Sequence, residues 1–235
     1  MCPTAYILED GFPIGRPLVW IMAKKKLATY RAKRDFSKTA EPSGSKAVKA
    51  ARRLRFVVQK HAASHLHYDF RLELDGVFKS WAVAKGPSLD PADRRLAIEV
   101  EDHPLDYGDF EGTIPKGQYG GGTVMVWDRG FWECENPEAG YRKGKLDFRL
   151  EGEKLSGGWI LTRMRPREGD RKTNWLLIKH RDAAAKTGRK NTVLEKDHSI
   201  VSGRAMEDIA AGKGKGPKPF IMKVRGRRSA KAVWS

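Results

Sequence analysis

The chain has 235 residues, 40% of them hydrophobic, which is enough to build one substantial domain with tails and too apolar for a wholly disordered chain. Its formal net charge of +17 points to a polyanion as partner. The two cysteines, Cys2 and Cys134, make neither a disulfide framework nor a paired metal motif, and no apolar run reaches the roughly eighteen residues of a membrane span. A reducing cytoplasm, in association with the nucleoid, is therefore expected, with no membrane partner.

Residues 1–21 hold early acids, three prolines at Pro3, Pro13 and Pro17, and no long apolar run, so they do not read as a signal peptide. Met22 opens a more ordinary beginning, and the preceding residues read as an upstream extension. The charge sits on two arms. Residues 22–55 carry twelve Lys and Arg against Asp35 and Glu41, a net of +10. Residues 211–235 carry eight and no acid, a net of +8, while 1–21 contribute −1 and 56–210 are balanced. Such arms are either solvated tails or electrostatic grips for a nucleic-acid backbone. We divide the chain into a basic, largely flexible N-terminal arm over 1–54, ordered near Tyr30–Phe36, a β-barrel domain over 55–211, and a Gly/Lys/Pro-rich tail or linker over 212–235.

The body opens with a β-type run at 55–59. The stretch 65–74 alternates strictly and is the clearest strand. Further strands are predicted at 81–84, 96–101, 123–128, 145–152, 159–164 and 175–180, separated by turn signals at 86–88, 120–122, 151–152 and 156–158. Helices are minor: RDAAAK at 181–186, and MEDIAAG at 206–212 with Gly212 as C-cap. Many short strands with glycine turns predict a mainly β chain, a compact antiparallel β-barrel with minor helices and basic terminal arms.

Period two along HAASHLHYDFRLEL (61–74) puts His65, His67, Asp69, Arg71 and Glu73 on one face. Leu66, Tyr68, Phe70, Leu72 and Leu74 take the other and must face the core. Same-face neighbours are about 6.6 Å apart. His61 falls in a loop able to fold back over the strand. Imidazoles plus a carboxylate, without sulfur, suit manganese or another first-row ion, cobalt and zinc included, with positions left open for water and substrate. Arg71 beside them suits phosphate, since its planar fork binds two oxygens. The spacing also fits an ordinary half-exposed strand with a solvated polar face. Lys85 at the end of a β run, Arg94 and Arg95 opening the next, and His103 and Tyr107 in the following loop add cations, an acid–base imidazole and a phenol. Together they are what phosphoryl transfer demands.

Several long blocks carry a resemblance. RFVVQKHAASHLHYDFRLELDGVFKSWAVAKGPSLDP, LAIEVEDHPLDYGDFEGTIPKGQYGGGTVMVWDRG, LSGGWILTRM and WLLIKHRD, in that order, resemble the 3′-phosphoesterase domain of bacterial DNA ligase D, from about Tyr30 to about Gly216. The resemblance implies a β-barrel with manganese in a polar cavity. It implies action on DNA 3′ ends in double-strand break repair by non-homologous end joining, on a primer–template bearing a 3′-ribonucleotide or 3′-phosphate. The terminal ribonucleoside is removed first and the phosphate second, leaving a 3′-hydroxyl for the end-joining polymerase and ligase. It assigns the metal to His61, His67 and Asp69, and the scissile phosphate to Arg71, Lys85, Arg95, His103 and Tyr107, with His103 donating a proton or hydrogen bond. Arg34 and Asp35 fall where the family has an Arg-Asp pair that helps build the site. His65 matches no catalytic position and reads as structural or supporting a ligand. The chain reads equally as a stand-alone enzyme or as a fragment of a longer protein.

Three rivals stand beside this reading. A non-catalytic nucleic-acid-binding barrel would use the arms and the seven tryptophans, but has no need of the His/Asp/Arg set. A hydrolase of small phosphoesters would leave the arms without purpose. A degenerate copy of the family would not keep every matched position.

Overall fold

The computed structural model describes residues 25–45, 48, 51–188 and 191–219. The expectations for 1–21, a start at Met22 and the end of the basic tail lie outside them.

Nine strands form among the described residues: β1 (Leu54–Ala62), β2 (Leu66–Leu74), β3 (Val77–Val83), β4 (Arg95–His103), β5 (Gly112–Ile114), β6 (Gly122–Glu133), β7 (Lys145–Gly152), β8 (Ser156–Arg163) and β9 (Asn174–Lys179). All pairings are antiparallel. The order β1-β2-β3-β4-β9-β8-β7-β6 closes through a β1–β6 ladder into an eight-stranded barrel. This is the expected fold class. The short β5, which three residues cannot announce by periodicity, pairs with the start of β6.

Local chemistry explains the turns. Asp75 (φ 51°) and Gly76 (φ 78°) sit between the last β2–β3 pair, Leu74 and Val77, as a two-residue turn with both residues left-handed. Among the described residues three short α-helices decorate the barrel: α1 (Ala28–Ala32), α2 (Pro137–Lys143) and α3 (Met206–Ala210). The α3 segment falls within the predicted MEDIAAG, and Gly212 has φ +64°. RDAAAK, by contrast, is a turn. The Asp182 carboxylate accepts hydrogen bonds from Gly158 N (2.6 Å), Ala184 N (3.0 Å) and Lys179 Nζ (2.6 Å). These bonds tie the segment back to β8 and β9 in place of a helical turn.

The interior is aromatic. Trp81, Trp127, Trp132, Trp159 and Trp175 are all fully buried, packed with Phe56, Phe70 and Phe148. Five of the seven tryptophans are thus core, which removes the main support for a stacking, purely binding barrel. On β2 the face Tyr68, Phe70, Leu72 enters this core, as the alternation requires.

The opposite face points outward, and it too is covered. The arm segment 25–45 packs there through Leu27 and Tyr30, joined by Tyr107, Phe110 and Ile114. Read as an arm of little fixed structure, this part is a fitted cover, with Tyr30 wholly buried and its hydroxyl donating to Pro42 O at 2.6 Å. A register shift in the β1–β6 ladder between Val58 and Gln59 lets Trp127 and Asp128 both turn inward while Val126 opposes Gln59 outside. Asp128 there accepts from the backbone N–H groups of Glu153, Lys154 and Leu155, closing the β7–β8 turn. Among the described residues no helix is long and apolar enough to cross a membrane.

Candidate metal and phosphate site

The site lies on the outer wall of the barrel, where β1 and β2 pair. Cross-strand partners share a face, so Gln59 stands opposite Asp69, and His61 opposite His67. His61 is therefore a strand residue of β1 and not a loop residue folded back over β2. The ladder brings the two imidazoles to 4.8 Å between ring centroids. His61 Nδ1 is 3.6 Å from Asp69 Oδ2, and His67 Nε2 is 3.8 Å from Asp69 Oδ1.

Ligand atoms of His61, His67 and Asp69 all lie within 4.8 Å of one another. These donors could hold a cation. His67 Nδ1 is 2.9 Å from the His65 carbonyl oxygen, so the ring hydrogen is held there and Nε2 presents its lone pair toward Asp69. The exposed His65 thus supports the site through its backbone. His61 Nε2 is buried without a hydrogen-bond partner among the described residues. Burial alone would raise the Asp69 pKa, but Arg71, His61 and His67 outweigh it and hold the carboxyl below its usual range. Two imidazoles and an ionised carboxylate, gathered across two paired strands rather than spread along one, fit a divalent first-row ion.

Arg71, 2% exposed, is clamped in register with these donors. Its Nη2 meets Asp69 Oδ2 at 3.1 Å and its Nε donates to Gln59 Oε1 at 2.9 Å. Gln59 Nε2 in turn donates to the carbonyls of Tyr107 (3.1 Å) and Phe110 (3.0 Å). Arg71 Nη1 stays buried with no partner among the described residues, an unused donor beside the candidate metal ligands.

The arm supplies a second guanidinium. Arg34, its side chain 5% exposed, donates to Glu41 Oε1 (2.9 Å) and Glu101 Oε1 (3.1 Å), and lies over the Tyr30 ring at 3.9 Å. Its Nη2 is 3.3 Å from His103 Nε2. His103 Nδ1 lies 2.8 Å from the Glu101 carbonyl and carries the ring hydrogen, so Nε2 accepts from Arg34. Burial, with Arg71 and Arg34 nearby, holds the imidazole well below its ordinary pKa and keeps it neutral. Tyr107 donates its hydroxyl to Glu41 at 3.0 Å, and burial and Glu41 push that phenol well up.

The sequence-predicted residues therefore separate. His61, His67, Asp69 and Arg71 form one cluster. Arg34, His103 and Tyr107 form an adjoining network, since the Arg71 guanidinium lies 5.0 Å over the Tyr107 ring. Asp35 points away into solvent, accepting from Ser37 and pairing with Lys38. Lys85 is exposed two residues beyond Val83, which pairs with Tyr68, and Arg95 opens β4 paired with Asp93 at 2.7 Å. Both stand at strand ends on the His67 side of the sheet. Three residues of the network were not foreseen: Gln59, Glu41 and Glu101. Period two back from His61 would have found Gln59. Nothing local marks Glu41, which is sixty residues or more from the groups it holds in Tyr107 and the barrel.

Over residues 59–163 the chain matches the DNA Ligase D 3′-phosphoesterase domain family. It is 54% identical over 187 residues to the multifunctional non-homologous end joining protein LigD of Pseudomonas aeruginosa, covering 78% of this chain and 22% of that protein. It is 41% identical over 166 residues to LigD of Mycolicibacterium smegmatis, covering 67% of this chain and 21% of the relative. To the LigD of Mycobacterium tuberculosis the identity is 43% over 170 residues, with 72% and 22% covered. The chain thus spans about a fifth of the length of these relatives. All the residues of the candidate metal cluster lie inside the matched region, and residues 59–163 belong to the DNA ligase D 3′-phosphoesterase domain family.

Proposed function

We propose that this chain is a divalent-metal-dependent hydrolase of nucleic-acid 3′ ends. It removes a 3′-terminal ribonucleoside to leave a 3′-phosphate, then removes the phosphate to leave a 3′-hydroxyl, and it serves double-strand break repair by end joining. The observation that carries the reading is the His61, His67, Asp69 cluster with Arg71 locked against its carboxylate, inside the region matched to the family.

Charge explains the design. Lys33, Arg34 and Arg71 balance Glu41, Asp69 and Glu101 one for one, so by themselves they offer a phosphate no net attraction. A divalent cation held by His61, His67 and Asp69, manganese by preference, would supply that positive charge and polarise a phosphoryl oxygen. Arg71, with Nη1 unspent, neutralises charge that develops on phosphorus. Lys85 and Arg95, at the strand ends, take the outer phosphate oxygens or the neighbouring backbone. His103 enters the reaction neutral. It can donate to the phosphate or leaving oxygen only once Arg34 shifts off Nε2 and a proton is acquired there. Until then Arg34 and His103 position each other, and Tyr107 fixes Glu41 beneath them. DNA ends are the substrate, and an end-joining polymerase and ligase are the partners that consume the 3′-hydroxyl.

The test is a labelled primer–template ending in one ribonucleotide, incubated with manganese, zinc, cobalt or chelator. Manganese-dependent shortening to the 3′-phosphate and then the 3′-hydroxyl supports the reading. Tight binding with no shortening under any metal would sink it in favour of a binding barrel.

A further inference from the structure

We propose that the exposed ring of Tyr119 is the stacking platform for the base of the 3′-terminal nucleoside, which makes it a specificity-determining residue for the first of the two steps. The inference rests on the reading that the site works on nucleic-acid 3′ ends.

Large apolar side chains are almost all buried in this protein. Among the described residues only Leu66, Leu96 and Tyr119 are exposed, and Tyr119 is 47% accessible. Two of the three adjoin the metal ligands. Leu66 precedes His67 and pairs across the ladder with Ala62, the neighbour of His61. Tyr119 precedes Gly120, whose missing Cβ would sit 3.9 Å from His61 Cε1. The loop that carries the ring therefore borders the groups that would hold the scissile phosphate. Upstream duplex has a whole strand of phosphates for its grip. A single terminal nucleoside has only its base and its ribose hydroxyls beyond the scissile phosphate, so a nearby aromatic face is the anchor its base calls for.

The ring is presented rigidly. The loop 115–122 makes two successive turns, with Gln118 N bonded to Pro115 O (3.1 Å) and Gly121 N to Gln118 O (3.0 Å). Gly117, Gly120 and Gly122 take positive φ of 88°, 74° and 147°. A Cβ at Gly122 would come within 2.4 Å of Ala62 O, so the loop is seated tightly on the end of β1. A platform ordered in advance loses little freedom when a base lands on it. Lys33 Nζ lies 4.7 Å and Arg34 Cζ 5.3 Å over the ring, a cation–π setting that polarises it. The hydroxyl is 3.1 Å from Lys33 Nζ and donates to Glu101 at 3.4 Å, which links the platform to the Arg34–His103 network.

The test uses wild type, Y119A and Y119F on two primer–templates that differ only at the 3′ end, one with a ribonucleoside and one with a bare phosphate. Y119A should raise the ratio of KM for the nucleoside end to KM for the phosphate end by roughly tenfold, within the range that removing one base–aromatic stack produces. Y119F keeps the ring and should hold the wild-type ratio. A binding readout needs no turnover: a 3′-terminal 2-aminopurine nucleoside, with chelator present, should lose fluorescence on wild type and Y119F but not on Y119A. If Y119F behaves like Y119A, the residue is a latch for the arm through Lys33 and Glu101, and the proposal falls. An equal loss on both ends overturns it as well. If wild type releases no nucleoside with any metal yet the Tyr119-dependent quench is seen, the hydrolytic reading fails and the stacking stands.

Discussion

The two faces of the β1–β2 ladder share one backbone and one register, yet they are built to different ends. The inner face, with Phe56, Val58, Tyr68, Phe70 and Leu72, is apolar and interchangeable in kind, and its value is area removed from water. The outer face, with Gln59, His61, His67, Asp69 and Arg71, is polar, buried except at the half-buried His67, and individually specified, and each side chain is held by a named partner. Burying polar groups costs stability unless they are satisfied. The atoms left unsatisfied among them are His61 Nε2 and Arg71 Nη1, and under the proposed function an ion and a phosphate would complete them. The fold thus rests on one face, and the other is a site kept incomplete.

That contrast can be broken by experiment. Trp81→Ala, on the inner face, should cost about 3–5 kcal/mol in denaturant unfolding, and a loss below about 1 kcal/mol would mean the aromatic core is not what holds the barrel. His67→Ala, outside, should reduce manganese-dependent turnover at least about 100-fold while leaving the thermal midpoint within a few degrees. A variant with full turnover would remove His67 from the metal set.

Asp128 sharpens the comparison because it is an acid placed inward, opposite Val58. Burial pushes its pKa up from 3.8 to about 6 against three backbone N–H donors that favour the ionised form. The folded state therefore binds this proton more tightly than the unfolded chain. Its stabilising contribution is present below about pH 4 and is lost as the pH rises through about 6. Relative to Asp128→Asn, which does not titrate, wild-type unfolding free energy should fall by about 2 kcal/mol between pH 4 and 7. Parallel pH profiles would show that the backbone donors win over burial. The smallest effect concerns geometry rather than charge: Arg71→Lys keeps the cation but cannot span Gln59 and Asp69 together, and about a tenfold loss of turnover is expected. Parity with wild type would reduce Arg71 to a point charge.

The sequence by itself determined the alternation. Strict period two over 65–74 placed Phe70 and Leu72 inside and His67, Asp69 and Arg71 on one outer row, and glycine turns between short apolar runs gave eight of the nine strands and the barrel class. Both are local properties of an extended backbone, so they can be read locally. Tertiary structure alone decided which strand His61 occupies, since the 61–67 pairing depends on the register of the β1–β2 hairpin. It also decided the fate of the arm. A run rich in Lys and Arg looks like a solvated tail, yet Tyr30 and Leu27 find a hydrophobic seat, and Arg34 finds Glu41 and Glu101. It parted Arg34 from Asp35 as well, sending one into the site and the other to solvent. Adjacent residues in a chain have no means of recording which of them a distant wall will cover. That depends on pairs 60 or more residues apart, such as Arg34 with His103 and Glu41 with Tyr107, and only the closed barrel brings them together.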